Sequence, residues 1–161
     1  MADTLSLLGT LVGARLNERR LVLACAESCT GGWVAQTVTA VAGSSAWFDR
    51  GFVTYSNQAK QDMLGVPAQT LEQYGAVSEE TAHAMVVGAL THSLAQVALS
   101  ITGIAGPTGG TPEKPVGLVC FGWAKGEAVQ TESVRFDGDR EAVRRQAVIH
   151  VLQGLLALIE A

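Results

Sequence analysis

The chain has 161 residues, a length suited to one domain, and 48% of them are apolar against 16% charged, which excludes disorder as the general state. Eleven basic against 15 acidic residues give a net charge of −4, and that argues against nucleic acid as the partner, because phosphate neutralisation needs clustered Lys and Arg. Three cysteines at no zinc-like spacing, no leader-like pattern and no apolar run near the ~20 residues of a membrane span predict a reduced, soluble, cytoplasmic protein with no metal site and no membrane partner.

Residues 4–18 set Leu5, Leu8, Val12 and Leu16 at helical spacing, with Asp3 or Thr4 as N-cap. Leu21 to Ala26 (LVLACA) is an apolar run of strand length, expected to be buried on both faces. Thr30-Gly31-Gly32 then turns the chain into a second helical pattern carrying Trp33, Val34, Val38 and Val41, with Gly43 expected as its C-cap. Phe48 to Ser56 reads as a strand. Asn57 to Leu64 reads as a short helix stopped before Pro67, and Gln69 to Ala76 as a loop around Tyr74-Gly75. Ser78-Glu79-Glu80-Thr81 resembles a capping box, with Thr81 in place of the usual Glu, opening a helix of about 15 residues. Val97 to Ile104 is a strand that runs into the glycine-rich segment Gly103 to Gly110. Val116 to Ala124 and Val129 to Phe136 pair around Lys125-Gly126. Asp137-Gly138-Asp139 starts a long amphipathic helix over 140–159.

Strands separated by helices, with one hairpin, predict a single-domain three-layer α/β/α sandwich whose sheet is mixed. Function in such sheets sits on loops beyond the strand ends, and three loops qualify: 27–32, 54–60 and 102–110.

In the first loop Ser28 and Cys29 stand side by side where a buried strand turns into a helix. Free N–H groups at such a turn suit an oxyanion or phosphate, and Gly31 and Gly32 permit close approach; a plain Ser/Thr cap accounts for the same residues. A serine nucleophile needs a base, and His83, His92 and His150 all fall in predicted helices away from the three loops. Lys60, one turn beyond Tyr55-Ser56-Asn57, can serve if burial lowers its pKa; a solvated helix lysine is the ordinary alternative. The third loop holds Thr102, Gly103 and Gly106 without matching a P-loop or a dinucleotide fingerprint. Arg140 and Arg144, spaced i, i+4, share a helix face and suit a phosphate or a solvated basic face equally.

The stretches AESCTGG (26–32), GSSAWFDRGFVTYSNQAK (43–60), GAVSEET (75–81), ITGIAGPTGG (101–110), EKPVG (113–117) and GDREAVRRQA (138–147) lie in one order over nearly the whole chain. Together they resemble the CinA C-terminal domain family, which includes stand-alone nicotinamide-nucleotide amidohydrolases. The resemblance implies one such domain over residues 1–161. It implies hydrolysis of the carboxamide of nicotinamide mononucleotide (NMN) to nicotinate mononucleotide and ammonia, in pyridine nucleotide salvage, without cofactor or metal. It makes Ser28 the nucleophile and Lys60 its base, with Tyr55 tuning the pair. Thr30, Gly31, Gly43, Ser44, Thr102, Gly103 and Gly106 would line the substrate site, and either Arg140 or Arg144 would meet the phosphate.

Two alternatives carry different expectations. Cys29, acidified beside a helix N-terminus, would replace Ser28 as nucleophile. A non-catalytic nucleotide-binding or regulatory domain would keep the pocket and lack turnover. The apolar helix end at Leu156, Leu158 and Ile159 suggests a homo-oligomer, most simply a dimer.

Overall fold

Helix α1 (Thr4–Arg19) opens the part of the chain that the computed structural model describes, residues 3–161, and Asp3 caps it by accepting the Leu5 N–H at 2.7 Å. There follow β1 (Leu23–Glu27), α2 (Trp33–Thr39), a 3-10 turn at Ser44–Ala46, β2 (Phe48–Val53), α3 (Asn57–Leu64), α4 (Ala68–Tyr74) and α5 (Glu79–Thr91). The chain finishes with β3 (Val97–Gly103), β4 (Leu118–Lys125), β5 (Ala128–Arg135) and α6 (Arg140–Glu160). The five strands form one sheet in the order β2-β1-β3-β4-β5. β1 runs parallel to both β2 and β3, while β3, β4 and β5 are antiparallel in turn, which makes the sheet mixed.

Side chains alternate across the sheet, and the two faces receive different residues. Leu23, Cys25, Leu99, Ile101, Phe121 and Trp123 face the layer of α1, α2 and α6. The opposite face is built small, from Ala24, Ala26, Ala98, Ser100, Gly122 and Ala124, under α5. Small residues let α5 lie close: Ser100 Oγ donates to the Ala82 carbonyl at 2.7 Å. The result is a three-layer α/β/α sandwich that places the C-terminal ends of β1, β2 and β3, and the loops leaving them, along one edge.

Four expectations change. Gly43 does not cap α2, which ends at Thr39 with Ala40 as its C-cap; instead it precedes the 3-10 turn with φ 83°. Residues 69–74 are helical, because Pro67 starts α4 and Gly75 ends it, and a seven-residue helix burying only Leu71 is too short to show periodicity. α6 is long and apolar enough to cross a membrane, yet seven of its residues, from Val143 to Ile159, are buried in the protein's own core. Leu156 and Leu158 are partly buried against the same core, and the Ile159 carbonyl accepts from Arg19. The cap of α5 keeps its predicted half: Ser78 Oγ accepts the Thr81 N–H at 3.1 Å. The Thr81 hydroxyl donates to the Gly75 carbonyl instead of reaching back, as a Glu would.

Candidate active site

Ser28 leaves β1 with its N–H still donating to Ile101 at 3.0 Å, so sheet geometry extends to the first residue of the loop. One strand over, the Thr54 N–H donates to the Glu27 carbonyl at 2.8 Å, which fixes the end of β2 against the end of β1. α3 starts immediately beyond, capped by Ser56 Oγ, and a turn later it directs Lys60 back under the strand ends. Lys60 is only 1% exposed. Its Nζ lies 3.0 Å from Ser28 Oγ, 2.8 Å from the Thr54 carbonyl and 3.4 Å from the Tyr55 carbonyl. Burial lowers its pKa from the ordinary lysine value, since an ammonium loses its hydration there. The loop thus sets a buried hydroxyl beside a buried amine whose charged form burial disfavours.

The pair opens into a cavity of about 270 Å³, whose walls include Thr102, Gly103, Gly106 and Tyr55. Thr102 Oγ1 donates to the Ala76 carbonyl at 2.8 Å, drawing the segment before α5 in as one wall, and Lys114 Nζ donates to the Tyr74 carbonyl behind it. Arg140 stands at the mouth. Its guanidinium donates to the Gly106 carbonyl at 2.8 Å and to the Tyr55 hydroxyl at 3.1 Å. Tyr55 therefore meets Lys60 through its carbonyl, and its phenol, on a side chain 61% exposed at residue level, meets Arg140.

Other expected site residues lie elsewhere. Gly43 and Ser44 are at the far end of the sheet, because α2 carries the chain back to the start of β2; the length of β1, about 15 Å, separates them from Ser28. Thr30 is fully buried behind the pocket and donates to Glu27. Gly31, with φ 59°, turns the chain without lining the cavity. Arg144 is set apart from Arg140: it donates to the carbonyls of Cys29 and Thr30 at 3.0 and 3.1 Å and lies over the Trp33 ring. Cys29 is not acidified by the helix; burial pushes its thiol up to about 12. The residue that sequence reasoning passed over is Glu27, wholly buried beside Ser28. Its signal was a carboxylate ending the otherwise apolar run LACA.

The profile of the CinA C-terminal domain family matches residues 6–159. Over 146 residues the chain is 58% identical to the protein named nicotinamide-nucleotide amidohydrolase PncC of Enterobacter agglomerans, covering 90% of this chain and 89% of that one. It is 51% identical over 156 residues to the protein of the same name from Pseudomonas putida, covering 97% and 98%. The crystal structure of the competence/damage inducible protein CihA from Agrobacterium tumefaciens superposes with a TM-score of 0.95 at 44% identity, over 98% of this chain and 97% of that one.

Proposed function

This chain belongs to the CinA C-terminal domain family, and on that premise we propose that it hydrolyses the carboxamide of NMN to nicotinate mononucleotide and ammonia by a serine/lysine mechanism. The observation that carries the mechanism is the 3.0 Å approach of Lys60 Nζ to Ser28 Oγ inside a buried site. Neutral Lys60 takes the Ser28 proton as Oγ adds to the carboxamide carbon. The tetrahedral intermediate collapses with cleavage of the C–N bond, and Lys60 passes its proton to the leaving nitrogen, which departs as ammonia. Water, deprotonated by Lys60, then attacks the acyl-enzyme, releasing the carboxylate and restoring Ser28.

The remaining groups have matching roles in this reading. The N–H groups of Cys29 and Thr30 donate to no protein acceptor among the described residues, which suits them to the oxyanion. Arg140, at the mouth of the cavity, meets the substrate's phosphate, with Thr102, Gly103 and Gly106 lining the space between. The substrate partner is thus a small nucleotide.

The experiment is ammonia and nicotinate mononucleotide formation from NMN in chelator-treated buffer, for wild type, Ser28→Ala and Lys60→Met. Turnover in the wild type, reduced roughly 10³-fold or more in both variants, is the expected result. Full activity in Ser28→Ala overturns the nucleophile assignment. No turnover in the wild type overturns the reaction.

A further inference from the structure

Glu27 is the least expected side chain in the sheet. β1 is buried along its whole length, and a carboxylate at its end gives up its hydration, which is tolerated only where donors meet its oxygens. Here all are met. Oε1 accepts the Thr30 hydroxyl at 2.6 Å and the Val34 N–H at 2.9 Å; Oε2 accepts the Ala35 N–H at 3.1 Å and faces the Cys25 thiol at 3.8 Å. Val34 and Ala35 are in the first turn of α2, whose own cap position is Gly32 and offers no side chain. One carboxylate therefore gathers the segment from Thr30 to Ala35, which follows Ser28 directly after Cys29, while its own backbone carbonyl holds Thr54, the residue whose carbonyl holds Lys60.

We propose that Glu27 is the positioning residue of the nucleophile turn: by gathering the Thr30 hydroxyl with the first N–H groups of α2, it fixes Ser28 against Lys60 and keeps the Cys29 and Thr30 N–H groups free for the oxyanion. The inference rests on the serine/lysine reading above. Glutamine does not replace Glu27 in this role. Each oxygen accepts one backbone N–H, so either orientation of an amide turns its NH₂ against a donor that has no other partner. Thr30→Val separates the two jobs, since it cuts the link to the turn and leaves the α2 cap intact.

The experiment measures kcat and KM for NMN, urea unfolding, and the rate at which a fluorophosphonate labels Ser28, in wild type, Glu27→Gln, Thr30→Val and Thr30→Ser. Under native conditions kcat and the labelling rate fall roughly 10–100-fold in Glu27→Gln and Thr30→Val with KM little changed, and Thr30→Ser restores both. Wild-type kcat in either slow variant overturns the proposal. So does a Thr30→Ser as slow as Thr30→Val, which would show that the hydroxyl bonded to Glu27 does not carry the effect. Should Glu27→Gln not fold, the Thr30 pair decides alone. A wild type that labels at Ser28 without hydrolysing NMN overturns the substrate reading only, with the labelling rates still deciding on Glu27. A wild type that does neither overturns both.

Discussion

Lys60 Nζ lies 3.0 Å from Ser28 Oγ although the two residues are 32 apart in the chain and on different elements. What joins them is the parallel pairing of β1 with β2: Glu27 holds Thr54 across the sheet, and Thr54 in turn accepts from Lys60 at 2.8 Å. The lysine also spends its donors on backbone carbonyls, which fixes where Nζ stands without supplying a counter-charge.

The pH dependence follows from that burial. The folded state disfavours the ammonium of Lys60, so its pKa is lowered relative to the unfolded chain, where it is about 10.4. Between the two values the unfolded chain binds more protons, and stability from this group therefore rises with pH. Wild type should gain stability relative to Lys60→Met as pH rises from neutrality toward that unfolded value. Urea unfolding of both proteins across that range checks it; the raised thiols of Cys25 and Cys29 act with the opposite sign but are shared by both proteins. The same lowered pKa places the rising limb of kcat/KM below the ordinary lysine range, and a limb at the unperturbed value would contradict it.

Arg140 and Arg144 should separate in kinetics. Arg140→Ala is expected to raise KM for NMN by about 10–100-fold, the worth of a charge-assisted bond to phosphate, and to leave turnover of the phosphate-free riboside nearly unchanged. Arg144→Ala, which frees the carbonyls of Cys29 and Thr30, should lower kcat for both substrates alike. Parallel kinetics on the two substrates measure this directly.

Cys29→Ala should keep kcat within about threefold of wild type, since a thiol pushed up to about 12 supplies no thiolate at neutral pH. Thiol-directed alkylation should be correspondingly slow at neutral pH, as the side chain is buried. A variant that loses all turnover while remaining folded would return the nucleophile role to Cys29.

Gly88→Ala tests the packing of α5. Helix propensity favours alanine by about 1 kcal/mol, but a Cβ at this position overlaps the Leu64 carbonyl at the end of α3. The clash is with backbone, so the expected net effect is destabilisation by about 1–3 kcal/mol, read from the shift of a urea unfolding midpoint. Because α3 carries Lys60, activity should fall as well.

Sequence patterning alone determined the order of the strands and of every α-helix but α4, the hairpin that makes the sheet mixed, the Ser78 cap, the helix starts at Asp3 or Thr4 and at 137–139, and the three loops around the cavity. These are local properties: apolar period, turn chemistry and capping act within a few residues. Tertiary structure decided the rest. A lysine on a short helix reads as solvated until α3 is seen tucked under the strand ends, and only there does it lose its water. Arg140 and Arg144 are one turn apart and equivalent in sequence, yet one meets the cavity and the other the back of the turn. Gly43 and Ser44 are near Ser28 in the chain and lie at the other end of the sheet, because a helix intervenes. The role of Glu27 depends on donors from Cys25, Thr30, Val34 and Ala35 that only the folded turn brings to one carboxylate. Burial, and the electrostatics that burial creates, belong to contacts between elements, and no window along the chain contains them.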